Sequence, residues 1–209
     1  MSVFLSHFID ELTPAYGGEK DAFKIQNISS IANGDRTNNS KISFNSHIGT
    51  HIDFPLHFYK NGKTINDYNA SFWIFSNIGV IECSPDKIIE NLESINADIE
   101  LLILKTNFSK YRKHETYWKS QPVINSNVAL VLKQKFPKLR VFGFDLISLT
   151  SKLDRNEGRL AHLAFLENPE ILILEDMNLN ELDFIPTKII ISPLLIKNID
   201  GVPCTVIAF

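Results

Sequence analysis

Cysteine is nearly absent from this chain: Cys83 and Cys204 stand far apart and form no Cys-x-x-Cys pair. That excludes a disulfide framework and a zinc ribbon, and two reduced, partly buried thiols are the expectation. Long apolar runs are missing too, since none approaches the ~20 residues that a membrane-spanning helix needs. Charge of one sign is not in excess: 21 Lys and Arg against 24 Asp and Glu leave a net charge of −3. Nothing electrostatic therefore favours nucleic acid or an anionic membrane as partner. The stretch Met1–Leu12 has no basic region and meets acid by Asp10, so it does not read as a signal peptide, and a cytoplasmic protein is expected. There is no internal repeat and no low-complexity linker. A length of 209 residues with 44% hydrophobic content suits one domain over 1–209 with a sizeable core.

What the chain does have is concentrated in Ser46-His47-Ile48-Gly49-Thr50-His51-Ile52-Asp53-Phe54-Pro55-Leu56-His57-Phe58. Three histidines and an aspartate in the spacing His-x3-His-x-Asp-x3-His are hard to explain by packing. Imidazole and carboxylate are the donors that Zn²⁺ and similar divalent ions take from protein. His47, Gly49, His51, Asp53, Pro55 and His57 are all odd-numbered, so an extended chain would set them on one face. Phe44, Ile48, Ile52, Phe54 and Leu56 would then face a core. Helix is disfavoured by Gly49, by β-branched Thr50 and Ile52, and by Pro55. On a straight strand His47 and His51 would be about 13 Å apart at Cα. That is near the limit for two rings sharing one ion at bonds of about 2.1 Å. The chain should bend between them, and Gly49 is the residue best able to allow it.

Around this segment the pattern predicts an α/β domain, a mixed sheet with flanking helices. Lys24–Ile28 and Lys41–His47 read as strands joined across Asn33-Gly34, a hairpin signal. Ile78–Cys83, Leu101–Leu104, Leu139–Phe144, Ile171–Leu174, Lys188–Ile191 and Cys204–Ala208 read as further strands, the wholly apolar ones buried on both faces. Helices are expected at Lys87–Leu92, from Asn125 or Ser126 to about Phe136, and over Glu157–Leu166, closed by Pro169. Lys110–Gln121, charged and aromatic, reads as an exposed loop. His162 lies on an otherwise apolar helix, and Glu175 leaves an apolar strand where a charge is costly unless paired or metal-bound. His7 and His114 read as solvated. Asp145 is balanced between supporting a metal-ligating histidine and simply ending a strand.

Ser46–Phe58 resembles the signature of the metal-dependent cyclase/hydrolase family, the family of bacterial kynurenine formamidase and isatin hydrolase. Leu104-Lys-Thr-Asn-Phe108, Gly143-Phe-Asp-Leu-Ile-Ser148, His162–Leu179 and Gly201-Val-Pro-Cys-Thr-Val-Ile-Ala208 resemble later segments of that family in the same order. The resemblance implies a swivelling β/β/α fold, and a homodimer or homotetramer acting on a small molecule. It implies one or two Zn or Mn ions, the first held by His47, His51 and Asp53, the second by Asp53, His162 and Glu175. His57 would be the general acid/base. Tyr16, in Pro14-Ala-Tyr16-Gly-Gly-Glu19, stands where kynurenine formamidase has a substrate-packing tryptophan. Phe54 replaces a small residue, and both are expected at the substrate. The activity implied is hydrolysis of an amide, lactam or lactone in a small cyclic or aromatic substrate. The alternatives are a non-catalytic metal or ligand-binding protein on the same scaffold, and a polyketide-type cyclase or dehydratase.

Overall fold

The apolar runs of the middle of the chain become the parallel half of one mixed sheet. The computed structural model describes residues 2–209. Its strands are β1 (Val3–Phe4), β2 (Phe23–Ser29), β3 (Asn39–Phe44), β4 (His51–Asp53), β5 (Ile74–Phe75) and β6 (Ile78–Glu82). They continue with β7 (Leu101–Lys105), β8 (Val141–Phe144), β9 (Leu172–Glu175), β10 (Ile189–Pro193) and β11 (Gly201–Ala208). The helices are α1 (Ile88–Asn91), α2 (Thr116–Lys119), α3 (Asn127–Lys135) and α4 (Arg155–Leu166). Among these described residues no helix is long and apolar enough to cross a membrane.

β6, β7, β8 and β9 are mutually parallel, and Leu101–Leu104 are fully buried, as a parallel strand covered on both faces should be. β4, β11, β10 and β5 continue the sheet antiparallel, with β1 added along β11. α4 starts two residues before the predicted Glu157 because Asp154 caps it, accepting from the Glu157 N–H at 2.9 Å. β2 and β3 form a separate two-stranded hairpin, as the Asn33-Gly34 signal predicts.

Three expectations of the sequence fail here. β3 stops at Phe44 rather than running into the histidine segment. Lys110–Gln121 is not an exposed loop: it carries α2, and Tyr117 and Gln121 are fully buried. Its charges misled because Arg112 turns inward. Arg112 donates to both carboxylate oxygens of buried Asp176, through Nε at 3.0 and 3.2 Å and Nη2 at 2.8 Å, and Tyr117 Oη donates to the same group at 2.6 Å. His7 is half-buried rather than solvated, and its Nε2 is enclosed without a partner.

The sheet changes from parallel to antiparallel between β9 and β4. In this register His51 lies opposite Glu175 and Asp53 opposite Ile173, while on the other side Asp53 pairs with Gly201. His51, Asp53 and Glu175 thus share one face at the carboxyl end of the parallel strands, where open α/β sheets form their clefts.

Candidate metal centre

Only His51–Asp53 of the segment is strand, so the extended face predicted for 47–57 is confined to three residues. The predicted bend is at Gly49, whose φ is +60°, a left-handed conformation that other residues adopt at a cost. The bend sends Ile48 into a small cluster with Ala15 and Ala22, while Ile52 enters the main core. It also folds the His47 ring back over Asp53, 5.2 Å from the His51 ring centroid. Pro55–His57 is a single tight turn that carries His57 round to the same side, 4.1 Å from the His47 ring.

Five residues predicted as ligands converge. His51 Nδ1 lies 2.8 Å from the Gly49 carbonyl and His162 Nδ1 lies 2.8 Å from the Gly158 carbonyl, with Thr150 Oγ1 at 3.2 Å. A carbonyl only accepts, so each Nδ1 carries the proton, and in the neutral ring each Nε2 offers a lone pair. Those Nε2 atoms face carboxylates at distances too long for good hydrogen bonds. His51 Nε2 is 3.3 Å from Glu175 Oε2 and 3.5 Å from Asp53 Oδ1, and His162 Nε2 is 3.5 Å from Asp53 Oδ2 and 3.6 Å from Glu175 Oε1. Two ligands on one tetrahedral ion at about 2.1 Å would be separated by about 3.4 Å. His51 Nε2 is buried with no hydrogen-bond partner, an unpaired position that a cation would satisfy. Each carboxylate offers one oxygen to His51 and the other to His162, so the donor set fits one or two divalent cations. His47 is held differently, with Nδ1 2.8 Å from Asp53 Oδ1 and Nε2 2.8 Å from Asp200 Oδ2.

Further groups fix the carboxylates. Glu175 Oε1 accepts from the Leu149 N–H and from Ser148 Oγ at 3.2 Å, in the loop after β8. The Thr50 hydroxyl donates to the Asp176 carbonyl, tying the residue before His51 to the one after Glu175. Asp176 itself has φ +49°. Asp145 does not serve a site histidine: its Oδ1 accepts from the Thr106 N–H and hydroxyl, both at 2.7 Å, which closes the end of β8.

The electrostatics of these groups are strongly coupled. Burial alone would lower the histidines, but the Asp53 charge, joined by hydrogen bonds to Asp200 and Asp53, raises His47 to about 10. The facing carboxylates of Asp53 and Glu175 likewise overcome burial and raise His162 to about 9, and Glu175 with the Asp53 charge raises His51. Burial pushes Asp53 up, but the His47 charge and the histidine hydrogen bonds prevail and hold it well below the usual carboxylate range. Glu175 is lowered against its burial and the Asp53 charge by the facing rings of His162 and His51. Asp200 is lowered by hydrogen bonds from His47 and His57.

The cleft above these groups has a volume of about 340 Å³ and is walled by Tyr16, Phe58 and Ile147, with His57 at its edge. That is the size of a small-molecule site. Phe54 is not in it. As the even-numbered neighbour of Asp53 it points to the opposite face, fully buried against Tyr68 at 5.8 Å and Trp73 at 6.3 Å, so the expected substrate contact is replaced by a core contact. Two neighbours of the site escaped the sequence reading. Phe58 stacks on His162 at 4.6 Å and 16°. Asp200 joins His47 to His57, and its only signal was its place directly before the Gly201–Ala208 segment.

The profile of the family described as Putative cyclase matches residues 3–151. The kynurenine formamidase of Bacillus cereus strain ATCC 14579 is 30% identical over 177 residues, covering 79% of this chain and 77% of that protein. Among solved structures, isatin hydrolase A from Labrenzia aggregata, bound to benzyl benzoate, matches with a TM-score of 0.83 at 22% identity, over 100% of this chain and 93% of that one. A potential metal-dependent hydrolase with cyclase activity gives a TM-score of 0.78 at 20% identity, over 100% and 96% of the two chains. At such identities these two structures speak for the fold.

Proposed function

Because the chain belongs to the cyclase family, we propose that it is a metal-dependent hydrolase that opens an amide, lactam or lactone bond of a small cyclic or aromatic substrate. The observation that carries this reading is the buried, unpartnered Nε2 of His51, facing one oxygen each of Asp53 and Glu175 at the floor of an open cleft. His47, His51 and Asp53 would hold one ion, and Asp53, His162 and Glu175 a second, with Zn²⁺ or Mn²⁺ as the species. Bound there, the metal would supply Lewis acidity, bringing a water's pKa from 15.7 towards about 7 and polarising a carbonyl.

The remaining work falls to the chain's own side chains. Asp53 and Glu175 present ionised oxygens whose geometry is fixed before substrate arrives, so little reorganisation is left for the reaction. His57 lies at the cleft edge with its side chain 30% exposed, where it can take a proton from the attacking water and return it to the leaving nitrogen or oxygen at Nε2. Tyr16 offers a ring against which a planar substrate would stack. Phe58 and Ile147 add apolar surface to the lining of the cleft.

The test is a substrate screen in ¹⁸O-labelled water with protein stripped by chelator and then reloaded with Zn²⁺ or Mn²⁺, covering N-formyl aryl amides, lactams and lactones. Turnover that follows the metal and places one solvent oxygen in the product is expected. Full metal occupancy without turnover would instead leave a binding protein. A ring-closed product lacking solvent oxygen would make it a cyclase.

A further inference from the structure

We propose that Asp200 is a positioning residue that fixes the ring and tautomer of His57 and holds His47 from the same oxygen, so that the proton-moving group and the metal edge share one anchor. The inference rests on the hydrolase reading above and deepens it. Asp200 sits immediately before β11, and its carbonyl accepts from the Phe54 N–H at 2.9 Å, so its backbone is locked to the end of β4. The side chain therefore emerges where the bend at Gly49 and the turn Pro55–His57 bring His47 and His57 together. Oδ2 lies 2.8 Å from His47 Nε2 and 3.1 Å from His57 Nδ1, and Oδ1 accepts from Ser46 Oγ at 3.4 Å.

An ionised carboxylate can only accept. His57 must therefore carry its proton on Nδ1, which leaves Nε2 as the free position of the neutral ring. His57 has no other side-chain hydrogen bond among the described residues. Without Asp200 nothing polar would distinguish its two tautomers or stop the ring from turning. The same logic gives metal-free His47 a donor at both ring nitrogens, Nε2–H to Asp200 and Nδ1–H to Asp53, so that a metal would take the place of the Nδ1 proton. A carboxylate that orients an imidazole in this way costs about 10–100-fold in metal affinity or activity when removed. Two roles are thus distinguishable: Asp200 acts through His57, or it merely supports His47 as a ligand.

The experiment compares wild type, Asp200→Asn, His57→Ala and the double variant, each loaded with Zn²⁺, on the substrate identified in the screen. If Asp200 acts through His57, Asp200→Asn keeps its zinc stoichiometry and its KM but loses kcat by about 10–100-fold. In the His57→Ala background the same change costs almost nothing further. The imidazole ¹⁵N spectrum of zinc-loaded wild type shows His57 as the Nδ1–H form, and Asp200→Asn mixes or reverses the tautomers. The proposal is overturned if zinc content falls in step with activity, if the two losses multiply, or if the His57 tautomer is unchanged in Asp200→Asn. The ¹⁵N measurement needs no turnover, so an inactive wild type would refute the hydrolase reading while this one is still decided.

Discussion

Removing the Arg112 side chain tests how the centre is braced from behind. Asp176 is 1% exposed, directly follows Glu175 and sits at φ +49°, and its carboxylate is met by three Arg112 contacts and one from Tyr117. Arg112→Met keeps the apolar stem of the side chain and leaves a buried anion with the tyrosine hydroxyl as its only side-chain partner among the described residues. Breaking a buried pair from one side costs about 3–5 kcal/mol. For a chain of this size each kcal/mol moves the melting temperature by about 2–4 °C, so a fall of about 6–20 °C is expected. Asp176→Asn in the same background removes the stranded charge and still tolerates the left-handed backbone. The double variant should recover to within about 1 kcal/mol of wild type, roughly the worth of one hydrogen bond. Urea unfolding followed by circular dichroism gives the four corners of the cycle. If Arg112→Met and the double variant are equally destabilised, the charge argument is wrong and the loss is one of packing. Because the Asp176 carbonyl also holds Thr50 beside His51, Arg112→Met should weaken metal uptake as well.

Gly201→Ala would place a Cβ 2.8 Å from His47 Nδ1 and 3.0 Å from Nε2, while the Gly201 backbone is pinned in register with Asp53. The ring must leave, so metal affinity should drop by about 10–100-fold with little change in unfolding midpoint, measured by competition with a chromogenic chelator. The pH behaviour of the metal-free protein follows from its pKa shifts. His47 near 10, His162 near 9 and raised His51 bind protons in the fold that an unfolded chain, with histidines near 6.5, would release. Their contribution is complete below about pH 6.5 and is lost as the pH climbs towards about 9–10. The lowered carboxylates Asp53, Glu175 and Asp200 contribute above about pH 4.5 and lose that contribution as the pH falls. Stability without metal should therefore peak between about pH 4.5 and 6.5. Metal uptake at neutral pH should expel ring protons. Calorimetry in two buffers of different ionisation heat checks this, and uptake without proton release would contradict it.

How much of this could be read from the amino acids depends on whether the signal was local. Leu101–Leu104 and Ile171–Leu174 announce buried parallel strands because covering both faces leaves no room for alternation. The bend at Gly49 follows from a distance near the limit of what two histidines could span straight. The straight face from His47 to His57 was over-extended for the same reason, since a bend at Gly49 and a turn at Pro55 leave only three residues of strand between them. Phe54 was assigned by analogy to the substrate, although the two-residue period that aligned the odd positions already sent it to the core. The 110–121 segment hid its buried Tyr117 behind charges whose partner, Asp176, lies 64 residues away from Arg112. Asp200 stands 143 positions from His57, and no pattern within the chain foretells that contact.

The central claim is that the buried His51–Asp53–Glu175–His162 cluster holds the ion on which catalysis depends. Titrating metal-stripped protein with Mn²⁺ while recording bound ion and initial hydrolysis rate on the same samples tests it most directly, with His51→Ala as control. The account predicts that rate and occupancy rise together to one or two ions per chain, and that His51→Ala loses both. A rate that stays at its full value in stripped protein, or full occupancy in His51→Ala, would contradict it.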